Sequence, residues 1–287
     1  MMEKPHANRQ MKNLIGMNLL LWGTEINDQL FPVLEQIAAT GYQGVEIPVF
    51  ETNPDHWKHW PAKLKALNLL PVAVTLNGAD LNQISPDRNI RQATLERNKK
   101  AIDCAAILGA RLLTGPFHSA LGVFTGTSAS SDEQQWAIEN LQQLAEYAGK
   151  QGVTLALEYL NRFESYLVSS TDELINLADR INHPNCKLMF DTFHANIEEK
   201  NLGEAIRKMG NRLVHVQLSE NDRSTLGKGH INFPQVIEAL DEIGYTGILS
   251  VEAFSSKLSA AHIWRKMFES ENQLITESLA YIKKITL

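Results

Sequence analysis

The strongest constraint on how this chain folds is an alternation that repeats eight times: a short apolar run, then a longer segment with apolar residues at helical spacing. The short runs are "LIGMNLLLW" (14–22), "GVEIPVF" (44–50), "LPVAVTL" (70–76), "ARLLTGP" (110–116), "VTLALEYL" (153–160), "CKLMFDTFH" (186–194), "RLVHVQLSE" (212–220) and "GILSVEAF" (247–254). Helices are expected over 27–40, 55–67, 87–108 and 132–150, then from the capping pattern "STDE" (170–173), and over 202–209, 234–243 and 270–284. Strand-then-helix order implies parallel pairing, because right-handed crossovers lay each helix over the sheet. Eight such units fit a single (β/α)8 TIM barrel of the α/β class, and 287 residues is an ordinary length for one. An open doubly wound sheet also accommodates eight units.

No long linker or shift of composition divides the chain, so one domain is expected over 12–287, after a polar, flexible arm at 1–11. Lys and Arg number 27 against 33 Asp and Glu, a net charge of -6 with no basic block, which argues against nucleic acid as a partner. No stretch of about 18 uninterrupted apolar residues occurs and the start lacks an apolar signal core, so a membrane is not expected as a partner and a cytoplasmic location is. The two cysteines, Cys104 and Cys186, lie inside apolar runs and read as core residues.

Within the sixth run, "MFDTFHANIEE" (189–199) sets Asp191 at the end of an apolar stretch and His194 three places later. A buried, unpaired carboxylate costs several kcal/mol or takes up a proton, so Asp191 needs a partner. In a barrel the chemistry sits at the C-terminal ends of the strands. The last four runs present Glu158, Asp191, Gln217 and Glu252 there. A single acid at a strand end is ordinarily a solvated residue or a helix cap; four such groups at equivalent ends argue for convergence. Three carboxylates in one pocket need a counter-charge, and a divalent cation supplies it. An all-oxygen donor set suits Mn²⁺ or Mg²⁺ better than zinc. His215 lies two places before Gln217 and shares its side of the strand, either in a lower layer of the barrel or as a partner of the site. Two loops lie close by: "NRFES" (161–165) and "SENDRSTLGKGH" (219–230), the second with Arg223 and two glycines. No Walker loop or dinucleotide fingerprint is present.

The motifs "LEYLNRFESYL", "MFDTFHANIEE", "HVQLSENDRSTLGKGHINF", "IGYTGILSVEAF" and the early "GYQGVEIPVF" resemble those of the D-tagatose and D-psicose 3-epimerases, ketose 3-epimerases of the xylose isomerase-like TIM-barrel superfamily. The likeness is best over 150–255 and colinear from residue 14. It implies a divalent ion, Mn²⁺ first with Mg²⁺ or Co²⁺ as alternatives, held by Glu158, Asp191, Glu252 and the residue at position 217. The better-known members carry histidine at that last position, and this chain carries Gln217. The resemblance further implies Glu164, His194 and Arg223 as sugar contacts, with Trp22, Phe117 and Phe254 as aromatic walls. Glu158 and Glu252 would be the acid–base pair that inverts C3 of a ketose through an enediolate. A homo-oligomer, dimer or tetramer, is the expected assembly, with a small-molecule sugar as substrate.

Gln217 opens three possibilities: a weaker but working metal site, action on a modified keto-sugar such as a 3-keto-glycoside, or a sugar-binding relic. The retained pair of glutamates and Arg223 speak against the relic. An aldose–ketose isomerase on the same scaffold would use the same acids between C1 and C2. An abasic-site endonuclease of the same superfamily would need further histidine ligands and a basic face. Near the C-terminus, Ile263, Met267, Phe268, Leu274, Leu279 and Ile282 recur near helical spacing, for packing on the barrel or for a contact between copies.

Overall fold

Each apolar run forms a strand, and the eight strands pair in parallel, in chain order, around a ring that β8 closes onto β1. The closure excludes the open-sheet alternative. The structure, a computed structural model, describes residues 13–286, so the arm expected at 1–11 lies outside the described residues. The strands are β1 Ile15–Asn18, β2 Gly44–Pro48, β3 Leu70–Val74, β4 Leu112–Gly115, β5 Thr154–Leu157, β6 Cys186–Asp191, β7 Leu213–Leu218 and β8 Leu249–Val251. Most of their residues are buried on both faces, which is why the runs read as continuously apolar rather than alternating.

The helices are α1 Phe31–Thr40, α2 Trp60–Ala66, α3 Arg88–Leu108, α4 Ser131–Lys150, α5 Thr171–Ile181, α6 Thr192–Glu198, α7 Leu202–Met209, α8 Phe233–Glu242 and α9 Glu271–Thr286. Local capping chemistry sets several starts. Ser130 and Glu133 form a reciprocal capping box on α4, and Ser170 accepts the Glu173 N–H at the head of α5. Inside the barrel, Ile248 fills the lower end because Gly16 and Gly44 leave it room. A Cβ on Gly16 would come within 2.9 Å of Ile248 Cγ2, and one on Gly44 within 3.2 Å of its Cδ1.

Three elements differ from the sequence expectation, the first two because a side chain caps the turn that follows. The first run leaves the sheet after Asn18, whose Oδ1 accepts the Leu20 N–H at 2.8 Å and turns residues Leu19–Trp22 into a 3-10 helix. The sixth run likewise ends at Asp191. Its Oδ1 accepts the Phe193 N–H at 2.8 Å and caps α6, so His194 sits in a helical first turn and not on the strand. Near the C-terminus only 271–286 is helical: Leu274, Leu279 and Ile282 are buried on α9, whereas Ile263, Met267 and Phe268 belong to the loop before it. Cys104 and Cys186 are buried free thiols. Among the described residues no helix is long and apolar enough to cross a membrane.

Candidate active site

The four strand-end groups do converge on the C-terminal mouth of the barrel, and Arg223 stands among them. Asp191 is in register with Gln217 across β6 and β7. Glu158 and Glu252 immediately follow the Leu157 end of β5 and the Val251 end of β8. The Glu158, Asp191 and His194 side chains bring a potential ligand atom each to within 4.8 Å of one another. Glu158, Asp191, Gln217 and Glu252 are all at most 5% exposed.

Arg223 provides the positive charge this cluster requires. Its Nη1 donates to Asp191 Oδ2 at 2.7 Å, to Ser219 Oγ at 3.0 Å and to Glu252 Oε2. The guanidinium lies between two aromatic rings, 3.7 Å from the Phe193 centroid and 4.6 Å from that of Phe254. Arg223 holds φ at +60°, a left-handed conformation that costs energy for a side-chain-bearing residue and that concentrates at functional sites. Although burial disfavours its charge, the Asp191, Glu252 and Glu164 carboxylates raise its pKa.

Burial governs the carboxyls. It pushes Glu158 well above the usual carboxyl range, and the Asp191 and Glu252 charges add to the effect while Arg223 opposes it. Glu252 is raised well above that range by burial too, against the pull of Arg223. Asp191 is raised by burial, with Arg223 and the Phe193 N–H working the other way. The His194 ring is held well below the ordinary histidine value by burial and by the Arg223 charge, so it is neutral.

The His194 ring is held at both nitrogens. Its Nδ1 accepts the Asn161 backbone N–H at 3.1 Å, and its Nε2 lies 3.1 Å from the Arg223 Nη2 donor, 3.5 Å from Asp191 Oδ2 and 3.7 Å from Glu158 Oε1. Asn161 also donates from Nδ2 to Glu164 Oε1 at 2.8 Å, so one residue of the "NRFES" loop fixes both Glu164 and His194. The sequence points to Glu164 and His194 but not to Asn161, because only the fold brings the two loops together.

A second polar layer lies directly beneath. Glu46, fully buried on β2, accepts from Asn18 Nδ2 at 3.0 Å, Thr114 Oγ1 at 3.1 Å, His215 Nε2 at 3.1 Å and Gln217 Nε2 at 3.0 Å. Asn18 reaches further and donates to Glu252 Oε1 at 3.0 Å. His215 is therefore a fully buried lower-layer residue whose partner is Glu46. Neither Glu46 nor Asn18 is singled out by the sequence, since both lie inside apolar runs.

The aromatic residues are distributed unevenly. Phe254 lies against Arg223, Trp22 ends the 3-10 turn after β1 and packs on the core, and Phe117 is fully buried in the core. Beside Phe117, His118 occupies the loop after β4. Its Nε2 donates to the Glu158 carbonyl at 2.9 Å and its Nδ1 lies 2.9 Å from Ser119 Oγ; burial holds its pKa down at about 4.

The residues fit a divalent cation. Three carboxylates and one amide oxygen are donors that Mn²⁺ and Mg²⁺ accept. Gln217 Oε1 is a buried acceptor without a hydrogen-bond partner among the described residues, while the Nε2 of the same amide is committed to Glu46. That oxygen has lone pairs uncommitted to protein, which is compatible with a cation as its partner.

Known proteins resemble this chain in sequence and in fold. The sequence model of the family described as xylose isomerase-like TIM barrel matches residues 34–285. The L-ribulose 3-epimerase of Methylomonas sp. (strain DH-1) is 31% identical over 86% of this chain and 88% of its own length. The D-psicose 3-epimerase of Ruminiclostridium cellulolyticum is 32% identical over 71% of this chain and 74% of its own. Among solved structures, the D-allulose 3-epimerase from Methylomonas sp. in complex with D-allulose superimposes with a TM-score of 0.89 at 28% identity, covering 96% of this chain and 98% of that one.

Proposed function

As a member of the xylose isomerase-like TIM-barrel family and of its ketose 3-epimerases, this chain is a carbohydrate isomerase, and we propose that it inverts C3 of a ketose. The observation that carries the reading is the pair Glu158 and Glu252: two buried carboxyls with raised pKa, reaching one site from strands that β6 and β7 separate. Epimerisation without a net redox change needs two such groups, one to remove a proton and one to return it to the opposite face.

Glu158, Asp191, Gln217 and Glu252 would hold the divalent ion, Mn²⁺ in the first place, with Mg²⁺ or Co²⁺ as alternatives. When bound, that ion supplies Lewis-acid polarisation of the sugar oxygens at the reacting carbons. One glutamate, as carboxylate, takes the C3 proton, and the electron pair left at C3 moves onto the C2 carbonyl oxygen to give an enediolate. The other glutamate, carrying a proton, delivers it to the far face of C3 as the C2 carbonyl re-forms. The pair ends with its protons exchanged, ready to run in reverse. His194 would hydrogen-bond a sugar oxygen through Nε2, Arg223 would donate from its guanidinium, and Glu164 would accept a sugar hydroxyl. Trp22 and Phe254 would form apolar walls around the ring, whereas Phe117, fully buried in the core, would support them from behind.

A modified keto-sugar is a second reading, favoured by one observation. A cavity of about 340 Å³ adjoins Arg223 and is lined by Phe193, Ile263, Trp264 and Met267, enough to admit a substituent beyond a hexose ring.

The test is deuterium exchange in D2O with fructose, psicose, tagatose and sorbose, each incubated with Mn²⁺ or with chelator and read by proton NMR after the ion is removed. Loss of the C3 proton signal together with formation of the C3 epimer, only with Mn²⁺, is expected. Exchange at C1 would replace the epimerase reading by an aldose–ketose isomerase. Absence of exchange at every carbon in the loaded protein would sink the free-ketose reading in favour of a 3-keto-glycoside.

A further inference from the structure

We infer that Glu46 is a positioning residue that turns Gln217 into a metal donor. The inference rests on the metal site of the proposed function and adds to it how a glutamine serves there. A metal-ligating histidine ordinarily donates its second ring N–H to a carboxylate, which fixes the ring and aims the free nitrogen at the ion. Glu46 and Gln217 reproduce that arrangement with an amide. Gln217 Nε2 lies 3.1 Å and 3.0 Å from the two Glu46 carboxylate oxygens, and a carboxylate accepts only from the NH₂ end of an amide. The amide is therefore set one way round, and its Oε1 is turned away from Glu46 without a protein partner.

Glu46 is itself held so firmly that it cannot follow a rotation of Gln217. Asn18 Nδ2 at 3.0 Å, Thr114 Oγ1 at 3.1 Å and His215 Nε2 at 3.1 Å bind it from β1, β4 and β7, and it is fully buried. Left unoriented, the Gln217 amide would flip and turn its NH₂ toward the carboxylates of Asp191 or Glu252. That arrangement would remove the fourth donor from the ion. The same layer also reaches Glu252 through Asn18, whose Nδ2 donates to Glu252 Oε1 at 3.0 Å. The consequence is a donor set made of oxygen alone, with Glu46 selecting the oxygen of the amide over its nitrogen.

The experiment is a double-mutant cycle on Mn²⁺ binding, followed by the electron paramagnetic resonance signal of free Mn²⁺ with no sugar present. Glu46→Gln and Gln217→Ala should each weaken Mn²⁺ binding by about 10- to 100-fold. The double variant should bind no more weakly than the weaker single variant, because Glu46 acts through Gln217. Unchanged affinity in Glu46→Gln, or losses that multiply in the double variant, would overturn the inference while leaving the metal site standing. Wild-type protein that binds no Mn²⁺ would overturn the metal reading, and this inference with it. Should Glu46→Gln fail to fold, the side-chain amide signal of Gln217 in ¹⁵N-labelled wild type gives the answer. It should exchange slowly with solvent, vanish in Gln217→Ala and shift on adding Mg²⁺; an amide signal that Mg²⁺ does not move would overturn the inference.

Discussion

Strands β5 to β8 and strands β1 to β4 close the same barrel, yet they put different chemistry into it. From the first group come Glu158, Asp191, Gln217 and Glu252, all at the mouth, with Arg223 from the loop after β7. From the second come Asn18, Glu46 and Thr114, one layer lower, where His215 of β7 joins them, and connected to the mouth by hydrogen bonds. The upper groups would change protonation or touch a sugar; the lower ones fix the direction in which the upper ones face. A site of several buried charges needs both, since an acid that can rotate finds its own partner and leaves the reaction geometry.

The sharpest way to break this division is to remove charge from the upper group. Glu158→Gln and Glu252→Gln keep shape and lose the exchangeable proton, so each should lower the rate of C3 exchange by about 10²- to 10⁴-fold. Initial rates of epimer formation measure it. A tenfold or smaller loss in either variant would mean that the reactive pair lies elsewhere.

Removing Arg223 tests the upper group through stability. Arg223→Ala would leave Asp191 Oδ2 and Glu252 Oε2 without their buried cation, at a cost of about 3–5 kcal/mol in chelator-treated protein. Denaturant unfolding reads this loss, and saturating Mn²⁺ should recover part of it by replacing the missing charge. An unchanged midpoint without the ion would show that these carboxyls are protonated and need no counter-charge.

The two halves also differ in how far they can be read from sequence, and for a physical reason. An acid at the end of an apolar run has no role as a core residue, so Glu158, Asp191 and Glu252 announce themselves. Glu46 sits in the middle of "GVEIP" and Asn18 inside "GMNLLLW". Their roles exist only once closure brings β1, β2, β4 and β7 around one carboxylate, with pairs 28 to 171 residues apart in the chain. The same holds for Asn161, whose hold on His194 spans 33 residues. The strand–helix order is local and periodic, and so it is legible almost throughout. Where it fails, at Asn18 and Asp191, a side chain of the site caps the next turn and ends its own strand early. Local propensity and site geometry compete at those two positions, and the site prevails.

His118 joins the halves, reaching from the loop after β4 to the carbonyl of Glu158, and its effect should appear in the pH dependence of stability. Its folded pKa of about 4 lies below the unfolded value of about 6.5, so the unfolded chain binds the proton more readily. The stability tied to neutral His118 is complete above about pH 6.5 and is lost as pH falls toward 4, about 3 kcal/mol in all. Chemical unfolding of wild type and His118→Gln across that window should show the steeper loss in wild type. Parallel curves would mean that His118 takes up its proton as readily in the folded chain as in the unfolded one.

The smallest effect is expected from the lower layer itself. Thr114 Oγ1 lies 3.1 Å from Glu46 Oε1 and 3.1 Å from the Ala73 carbonyl, and a hydroxyl has one proton to give to either. Thr114→Val preserves the shape, and Glu46 keeps its donors from Asn18, His215 and Gln217. The loss should be under about 1 kcal/mol in unfolding free energy and about twofold or less in Mn²⁺ affinity, because a neutral hydrogen bond to an acceptor with other partners contributes little net. A tenfold loss of Mn²⁺ affinity would instead show that the direction of Glu46 depends on every donor around it. The lower half of the barrel would then be as sensitive to single substitutions as the upper, and the division between reacting and orienting strands would not hold.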